Sequence, residues 1–319
     1  MLSLAFRPAA SGAVPAAAPS PAWVQVSVAT VWDRPSSARP LDKIALRDPS
    51  RIEGWLDALS VSERLGLDSR IATQVLLGQE VLVFSHRGRW SRVEIPDQRG
   101  SRYPNGIIGW VPSTQLTTST SPAGDGNTIV GVAKTWLDAV NDGVVGRRRF
   151  SISYNTDLPV LGTSPGYDLV GLPGGSEGAI PASAVRPVQV GQISGATLVG
   201  EARRFLGLPY LWGGTSAFGY DCSGLVYSVF TRYGIILPRD AADQQHAGTA
   251  VLLGELRPGD LLFFAGPGGV GTVDHVGIYA GAGRMIDAPH TGASVEMIPM
   301  KSSPVWPDFA GATRVAGVT

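Results

Sequence analysis

The chain contains one cysteine, Cys222, in the segment Tyr220-Asp221-Cys222-Ser223-Gly224. Apolar residues follow it at helical spacing until Gly234, so the pattern predicts a helix with Asp221 at its N-cap and Cys222 in its first turn. The positive end of a helix dipole, together with a nearby imidazolium, favours the thiolate form of a cysteine. The position therefore indicates a nucleophile, and the alternative is a small, inert, buried side chain.

A histidine that could act as the base for this thiol is His275, within the alternating segment 273–279. Alternation predicts a strand that turns its apolar residues to the core and places His275, Gly277 and Tyr279 on the other face. A turn at residues 281–283 then returns the chain as a second strand. Alone, His275 would be interpreted as a hydrogen-bonded core histidine, but the cysteine favours the catalytic interpretation.

Two residues of the returning strand could orient the imidazole, Asp287 and His290. A hairpin centred on Gly281 places His275 opposite Asp287 and pairs polar residues with polar residues. A hairpin centred between residues 282 and 283 would set Asp287 on the apolar face, where an unpaired carboxylate is costly. Asp287 is therefore the predicted third residue, since the role requires only an acceptor for the second ring nitrogen.

The same side chains could also be considered as metal ligands. His275, Asp287 and His290 form no His-Glu-x-x-His pattern, and a single cysteine supplies no paired-cysteine spacing, so a metal site is not favoured. Nucleophilic catalysis by a cysteine requires no cofactor, and none is expected.

Composition limits the class of protein. The chain has 319 residues, 41 of them Gly and 24 Pro, with 44% hydrophobic residues, which indicates two or three turn-rich domains with many short strands. Basic and acidic residues are equal at 26 each, so no overall field would recruit nucleic acid. One cysteine excludes an internal disulfide, and no apolar run reaches the roughly 20 residues of a membrane span.

The first 21 residues are rich in Ala and Pro and contain no apolar run of signal-peptide length, so they are interpreted as a loose leader. This pattern favours a cytoplasmic location without excluding export. The remaining chain divides into residues 22–117, 126–190 and 195–319, with a polar linker between the first two.

The first two parts have the pattern of small β-barrels. The first contains a helical insert and a hairpin from Glu80 to Ile95, and its closing segment Gly109-Trp110-Val111-Pro112 recurs in the second part as Gly178-Ala179-Ile180-Pro181. This internal repeat resembles a pair of bacterial SH3-like domains, and unrelated β-modules are the alternative.

Five segments of the third part, in order, resemble the NlpC/P60 cysteine peptidases. They are Pro209-Tyr210-Leu211-Trp212-Gly213-Gly214, Asp221-Cys222-Ser223-Gly224, Leu237-Pro238-Arg239, Pro258-Gly259-Asp260-Leu261 and Asp274-His275-Val276-Gly277-Ile278-Tyr279. The resemblance implies a papain-like α+β catalytic domain that cuts bonds in bacterial cell-wall peptides. It also implies the catalytic set Cys222, His275 and Asp287, although the third position is often His in that family.

The two SH3-like patterns and the segment Thr73–Glu80 make the chain similar to a branch of this family associated with γ-D-glutamyl-diamino acid endopeptidase activity and peptide recycling. That branch holds the free amino end of an L-Ala-γ-D-Glu dipeptide. The resemblance implies that Glu80, Tyr103 and Asp221 bind the ammonium and that the pocket is lined by Trp212, Ser223, Arg239 and Asp240. The spacing between Tyr103 and Gly109 is wider than expected.

Two other functions remain open at this stage. A hydrolase of intact, cross-linked peptidoglycan would share the same catalytic residues, and a non-catalytic wall-binding protein would not need them. The expected partner is a murein peptide, L-Ala-γ-D-Glu followed by a diamino acid. The sequence does not identify that diamino acid or the oligomeric state.

Overall fold

The computed structural model describes residues 18–120, 124–187 and 191–319. Most of the predicted leader, residues 1–17, lies outside the described residues, as do residues 188–190 at the end of the predicted second domain. The protein has mixed α/β content with many strands, which confirms the coarse fold class predicted from the sequence.

The first sheet has seven strands in the order β3-β2-β6-β5-β4-β1-β7. Helices α1 (Ile52–Asp57) and α2 (Val61–Leu65) form the predicted insert between its second and third strands. The strands are β1 (Ser20–Val24), β2 (Val28–Trp32), β3 (Ile71–Leu76), β4 (Glu80–Arg87), β5 (Trp90–Ile95), β6 (Ile107–Pro112) and β7 (Leu116–Thr117).

The helical insert packs through aromatic residues. Trp55 on α1 is fully buried, with its ring centroid 6.1 Å from that of Trp32 on β2, and its indole N–H donates to the buried Asp42 at 3.1 Å. Helix α2 begins at a capping box in which Ser60 and Glu63 satisfy each other's backbone N–H groups. The buried apolar cluster that contains Trp55 also includes Leu211 and Phe218 from the third part of the chain. The insert therefore anchors the first sheet to that part.

The second sheet repeats the first. Its strand order is β10-β9-β13-β12-β11-β8-β14, in which each strand corresponds to the one seven places earlier. In both sheets a 3-10 turn, Ser113–Gln115 or Ala182–Ala184, follows the sixth strand and leads into the seventh. The strands are β8 (Asn127–Val130), β9 (Lys134–Asn141), β10 (Val144–Ser153), β11 (Asp157–Ser164), β12 (Tyr167–Gly171), β13 (Glu177–Pro181) and β14 (Val185–Arg186).

The third part contains α3 (Gly195–Ala202), α4 (Cys222–Thr231) and α5 (Ala241–Gln244) beside a six-stranded antiparallel sheet of order β17-β22-β18-β19-β20-β21. The apolar faces of α3 and α4 and the strands that follow share one core. The strands of this sheet are β17 (Gly248–Ala250), β18 (Leu261–Ala265), β19 (Val273–Gly281), β20 (Arg284–Asp287), β21 (Glu296–Pro299) and β22 (Phe309–Val315). Strands β15 (Thr215–Ser216) and β16 (Gly219–Tyr220) form a separate two-stranded sheet.

The β19–β20 hairpin has a register that differs from both alternatives considered from the sequence. Ile278 pairs with Ile286 and Tyr279 with Met285, so the prediction that Asp287 lies directly opposite His275 is wrong. The tight turn consists of Ala282 and Gly283, both at positive φ, and Gly281 remains part of β19. Among the described residues, no helix is both long enough and apolar enough to cross a membrane.

Candidate active site

Cys222 opens helix α4, as the sequence predicts. Asp221 is extended at φ −88° and ψ 176°, and its side chain accepts a hydrogen bond from the backbone N–H of Gly224 at 2.6 Å. Cys222 itself is 8% exposed, so it is buried but not fully closed to solvent. The N-cap fixes the start of α4 and directs the positive end of the helix dipole to the sulfur.

Gly224 allows this helix start to approach the preceding loop. A Cβ atom at position 224 would overlap the carbonyl oxygen of Gly214 and would lie 2.9 Å from Asp221 Oδ1. The glycine of the Asp-Cys-Ser-Gly segment is therefore required by close packing of the first turn of α4, which holds Cys222 in place.

His275 lies on β19 and is held by Asp287 at the end of β20. Its Nε2 atom is 2.8 Å from Asp287 Oδ1, and Cys222 acts on the same imidazole as a nearby negative charge. Asp287 is 1% exposed, and its other oxygen has no hydrogen-bond partner within the described ranges. The carboxylate is therefore committed to the imidazole, although the two residues are diagonal and not directly opposed in the hairpin.

The electrostatics of His275 favour its protonated form. Burial alone would lower the pKa of His275, but the thiolate of Cys222, with a hydrogen bond to it, and the Asp287 carboxylate raise that pKa well above 6.5. A thiolate and an imidazolium side by side can deliver a nucleophile and then a proton.

Arg239 and Ser223 surround the N-cap carboxylate. Arg239 Nη2 donates to Asp221 Oδ2 at 2.6 Å and Nη1 donates to Oδ1 at 3.1 Å, while Nη1 also donates to the Ser223 hydroxyl at 2.9 Å. Burial would lower the pKa of Arg239, but Asp221 raises it, so the guanidinium stays charged. This bidentate pair cancels the charge of Asp221 beside the catalytic helix.

Tyr210 is a further residue of this cluster, and the sequence prediction did not include it as a site residue. Burial and the negative charges of Asp221, Cys222 and Asp68 raise the pKa of its phenol, so the hydroxyl stays protonated beside the thiol. Asp68, from the loop before β3, is exposed, and partial burial raises its pKa. Tyr210 stands in the Pro-Tyr-Leu-Trp-Gly-Gly segment, whereas no sequence signal marks Asp68.

Trp212 and Asp240 lie on the accessible side of the site. The Trp212 ring is 40% exposed, and its Nε1–H donates to the carbonyl of Ile71 at 3.1 Å, which ties the first sheet to this edge. Asp240 is exposed, yet desolvation outweighs Arg239 and raises the pKa of its carboxyl.

Glu80 is exposed at the first residue of β4, opposite Trp23, and no hydrogen bond or salt bridge among the described residues joins it to this cluster. The turn at residues 76–79 separates it from the residues of β3 that contact this edge of the site, so its place in the pocket stays a prediction. Tyr103 is half-buried in the loop whose Arg99 carbonyl accepts from the backbone N–H of Arg239, and its contact with the cleft stays a prediction.

A groove of about 650 Å³ lies between residues 96–101, in the loop that joins β5 to β6, and residues 236–247. Its lining includes Pro238 and Asp243, next to Arg239 and Asp240, and does not include Cys222. In the part of the chain that the structure describes, no group of three or more His, Cys, Asp or Glu side chains is placed to hold a metal ion.

Known proteins resemble this chain over most of its length. Residues 207–314 match a family model described as "NlpC/P60 family". The γ-D-glutamyl-L-lysine dipeptidyl-peptidase of Bacillus subtilis (strain 168) is 38% identical over 274 residues, which is 85% of this chain and 91% of that protein. The protein of the same name from Bacillus cereus (strain ATCC 10987 / NRS 248) is 36% identical over 92% of this chain and 91% of its own length.

A solved structure agrees with these sequence matches. The crystal structure of an NlpC/P60 family protein from Bacillus cereus ATCC 10987 superposes with a TM-score of 0.84 at 33% identity, covering 92% of this chain and 99% of that one. Since the similarity extends over most of the chain and not the matched segment alone, the chain belongs to the NlpC/P60 family of cysteine peptidases.

Proposed function

We propose that the protein cleaves the bond between γ-D-glutamate and the following diamino acid in cell-wall peptides that carry a free N-terminal L-Ala. The observation that carries this proposal is the arrangement of Cys222, His275 and Asp287: Cys222 begins α4, its charge raises the pKa of His275, and Asp287 lies 2.8 Å from His275 Nε2. The two Bacillus relatives are named as γ-D-glutamyl-L-lysine dipeptidyl-peptidases, and their names supply the bond.

In the proposed mechanism, the Cys222 thiolate attacks the γ-carbonyl carbon of D-Glu and forms a C–S bond, while the carbonyl oxygen becomes an oxyanion. Backbone N–H groups at the start of α4 are positioned to stabilise that oxyanion. The His275 imidazolium donates its proton to the leaving amine as the C–N bond breaks. Neutral His275 then takes a proton from water, the hydroxide attacks the thioester, and cleavage of the C–S bond restores the ion pair and releases L-Ala-γ-D-Glu.

The finer domain assignment belongs to the same proposal. We assign residues 22–117 and 126–190 to two SH3-like domains and residues 195–319 to a papain-like peptidase domain. The shared strand order of the first two sheets, with its 3-10 turn before the last strand, supports a duplicated β-module.

The charge balance of the pocket supports recognition of a free amine. Asp221 can supply an acceptor oxygen, but Arg239 cancels its charge, so an ammonium group requires other carboxylates. Asp240 and Asp68 are exposed acids near this cluster, and neither forms a salt bridge among the described residues. We therefore propose that Asp68, in place of Glu80, is the carboxylate that the first sheet contributes to the binding of the ammonium group.

This selectivity would fit a role in peptide recycling. A peptide released from the wall presents a free L-Ala amine, whereas an acylated amine carries no charge and cannot form the same contact. The enzyme would therefore act on released peptides and not on intact, cross-linked wall.

The test compares an L-Ala-γ-D-Glu-diamino acid tripeptide with its N-acetyl derivative. A hydrogen bond to a charged group contributes roughly 1.5–3 kcal/mol, so acetylation should lower kcat/KM about ten- to a hundredfold. Asp240→Asn and Asp68→Asn should each reduce the difference in kcat/KM between the free and the acetylated peptide. Asp57→Asn, at the exposed end of α1, is the matched control.

Each alternative gives a different result. Equal rates on the two peptides would remove the amine pocket and leave a less selective wall hydrolase. No hydrolysis of either peptide would support the non-catalytic wall-binding alternative. If Glu80→Gln reduces the difference in kcat/KM between the two peptides and Asp68→Asn does not, then Glu80 is the acid that the first sheet contributes to the amine pocket.

A further inference from the structure

A chain of buried hydrogen bonds runs from the first sheet to the catalytic helix. Arg239 Nε donates to the Thr73 hydroxyl on β3 at 3.2 Å, and that hydroxyl donates to Gln98 Oε1. Gln98 Nε2 in turn donates to the carbonyl of Gln74 at 2.7 Å. Thr73, Gln98 and Arg239 are each no more than 2% exposed, so water cannot replace these contacts.

Thr73 is suited to this position because a hydroxyl donates and accepts at once. Its single proton goes to Gln98, so its oxygen can only accept from Arg239, and the direction of both bonds is fixed. The opposite end of the guanidinium holds Asp221 and Ser223, which flank Cys222 in the chain. Thr73 therefore determines the orientation of the planar guanidinium that pairs with the N-cap carboxylate.

A second set of contacts keeps β3 in register with the peptidase part. Gln74 Oε1 accepts from the Ser216 hydroxyl at 2.8 Å, and the Gln74 carbonyl accepts from the Thr215 hydroxyl at 3.1 Å. Because Thr73 and Gln74 are adjacent, the strand that carries Thr73 is fixed relative to β15 and the loop before Cys222. The chain of hydrogen bonds from Gln98 through Thr73 to Arg239, called the relay below, is thus anchored at both of its ends.

We infer that Thr73 is a positioning residue through which the first sheet shapes the substrate pocket: it orients Arg239, and Arg239 holds Asp221 and Ser223 in the geometry that receives the amino end of the peptide. This inference rests on the proposed function. It gives the first sheet a part in specificity that goes beyond covering the cleft, while Cys222, His275 and Asp287 lie outside the relay.

The test uses Thr73→Val in the full-length protein, which keeps the shape of the side chain and removes both hydrogen bonds. The ratio of kcat/KM for the free tripeptide to that for its N-acetyl form should fall about tenfold, mainly through KM for the free peptide, since small misplacements of binding groups have effects of this size. Thr73→Ser keeps the hydroxyl and should restore the ratio. The rate of Cys222 alkylation by iodoacetamide should not change.

Thr30→Val is the matched control. Thr30 lies on β2 directly opposite Gln74, is equally buried, and its hydroxyl has no hydrogen-bond partner among the described residues. Its substitution should leave the selectivity ratio within about twofold of wild type, as expected where no contact is lost. Gln98→Met interrupts the relay from its other end and should reproduce the Thr73→Val effect.

If the wild-type enzyme is selective for the free amine and Thr73→Val keeps the selectivity ratio within twofold of wild type, the relay is overturned and the proposed function stays intact. Equal losses in Thr73→Val and Thr30→Val, or no recovery in Thr73→Ser, would likewise overturn the relay. A wild-type enzyme without selectivity for the free amine would overturn the amine pocket and the relay together.

Discussion

Replacement of Asp287 tests the catalytic arrangement most directly. Asp287→Ala removes the only hydrogen bond that the described structure gives to His275 Nε2, at 2.8 Å, and leaves the imidazole free to rotate on β19. A hydrogen bond with a charged partner contributes about 1.5–3 kcal/mol, which corresponds to a loss of roughly 10- to 150-fold in kcat/KM. Asp287→Asn keeps the shape and one acceptor oxygen, so its loss should be smaller.

The pH dependence follows from the raised pKa of His275. Burial would lower this pKa, whereas Cys222 and Asp287 raise it well above 6.5, so the imidazolium persists above that pH and activity declines as pH rises through the raised pKa. Asp287→Asn removes one of the two causes that raise the pKa. The basic limb of the kcat/KM profile should therefore move to lower pH in this variant.

The assay is steady-state hydrolysis of the free tripeptide from pH 5 to 10, with circular dichroism to confirm folding. His290→Ala is the control, because His290 is exposed and the one side-chain hydrogen bond it forms with the described residues joins its Nδ1 to the carbonyl of Thr291. That variant should stay within about twofold of wild type, as for other surface substitutions. A larger loss in His290→Ala than in Asp287→Ala, or a basic limb that does not move in Asp287→Asn, would refute the assignment of Asp287.

Two further predictions concern the catalytic helix. Cys222→Ser should fold like the wild type and lose nearly all turnover, since a serine hydroxyl is not ionised by the helix end and His275; comparable turnover would contradict the cysteine mechanism. Gly224→Ala should lower the free energy of unfolding in urea by more than about 1 kcal/mol, because the added Cβ would overlap the carbonyl oxygen of Gly214. Gly200→Ala, on the open face of α3, is the control and should raise that free energy by about 0.5–1 kcal/mol. Equal effects of the two alanines would show that packing at Gly224 is not limiting.

The Cys222 helix could be predicted from the sequence because its determinants are local. The N-cap carboxylate of Asp221, the apolar spacing after it and the stop at Gly234 all lie within fifteen residues, and the helix begins at the predicted residue. The repeat of the two β-modules was also visible, since the strand end at Pro112 and Pro181 serves the same 3-10 turn in each sheet.

The hairpin register could not be predicted because it depends on the turn. The favoured prediction centres the hairpin on Gly281, but the turn consists of Ala282 and Gly283, and a register shift lies between Tyr279 and Gly281. His275 and Asp287 still meet because residues of equal parity share a face, and a diagonal pair lies within reach of an imidazole. The residue assignment therefore survived an error in the register used to argue it.

The remaining differences arise from contacts between parts of the chain that are far apart in sequence. Asp68 and Thr73 precede Cys222 by about 150 residues, and nothing local distinguishes Asp68 from other loop acids or Thr73 from other buried strand threonines. Only the packing of β3 against the loop around Trp212 brings them to the site. Glu80, which the family pattern favoured, follows the same strand but lies past its opposite end.

The charges of the site separate catalysis from specificity. Arg239 neutralises Asp221, whereas neither Asp68 nor Asp240 forms a salt bridge among the described residues. Asp287 is 1% exposed and hydrogen-bonded to His275, whereas Asp68 and Asp240 are exposed. In the proposed function, Asp68 and Asp240 attract the cationic end of the peptide, so changes in either residue should alter substrate choice without altering the nucleophile.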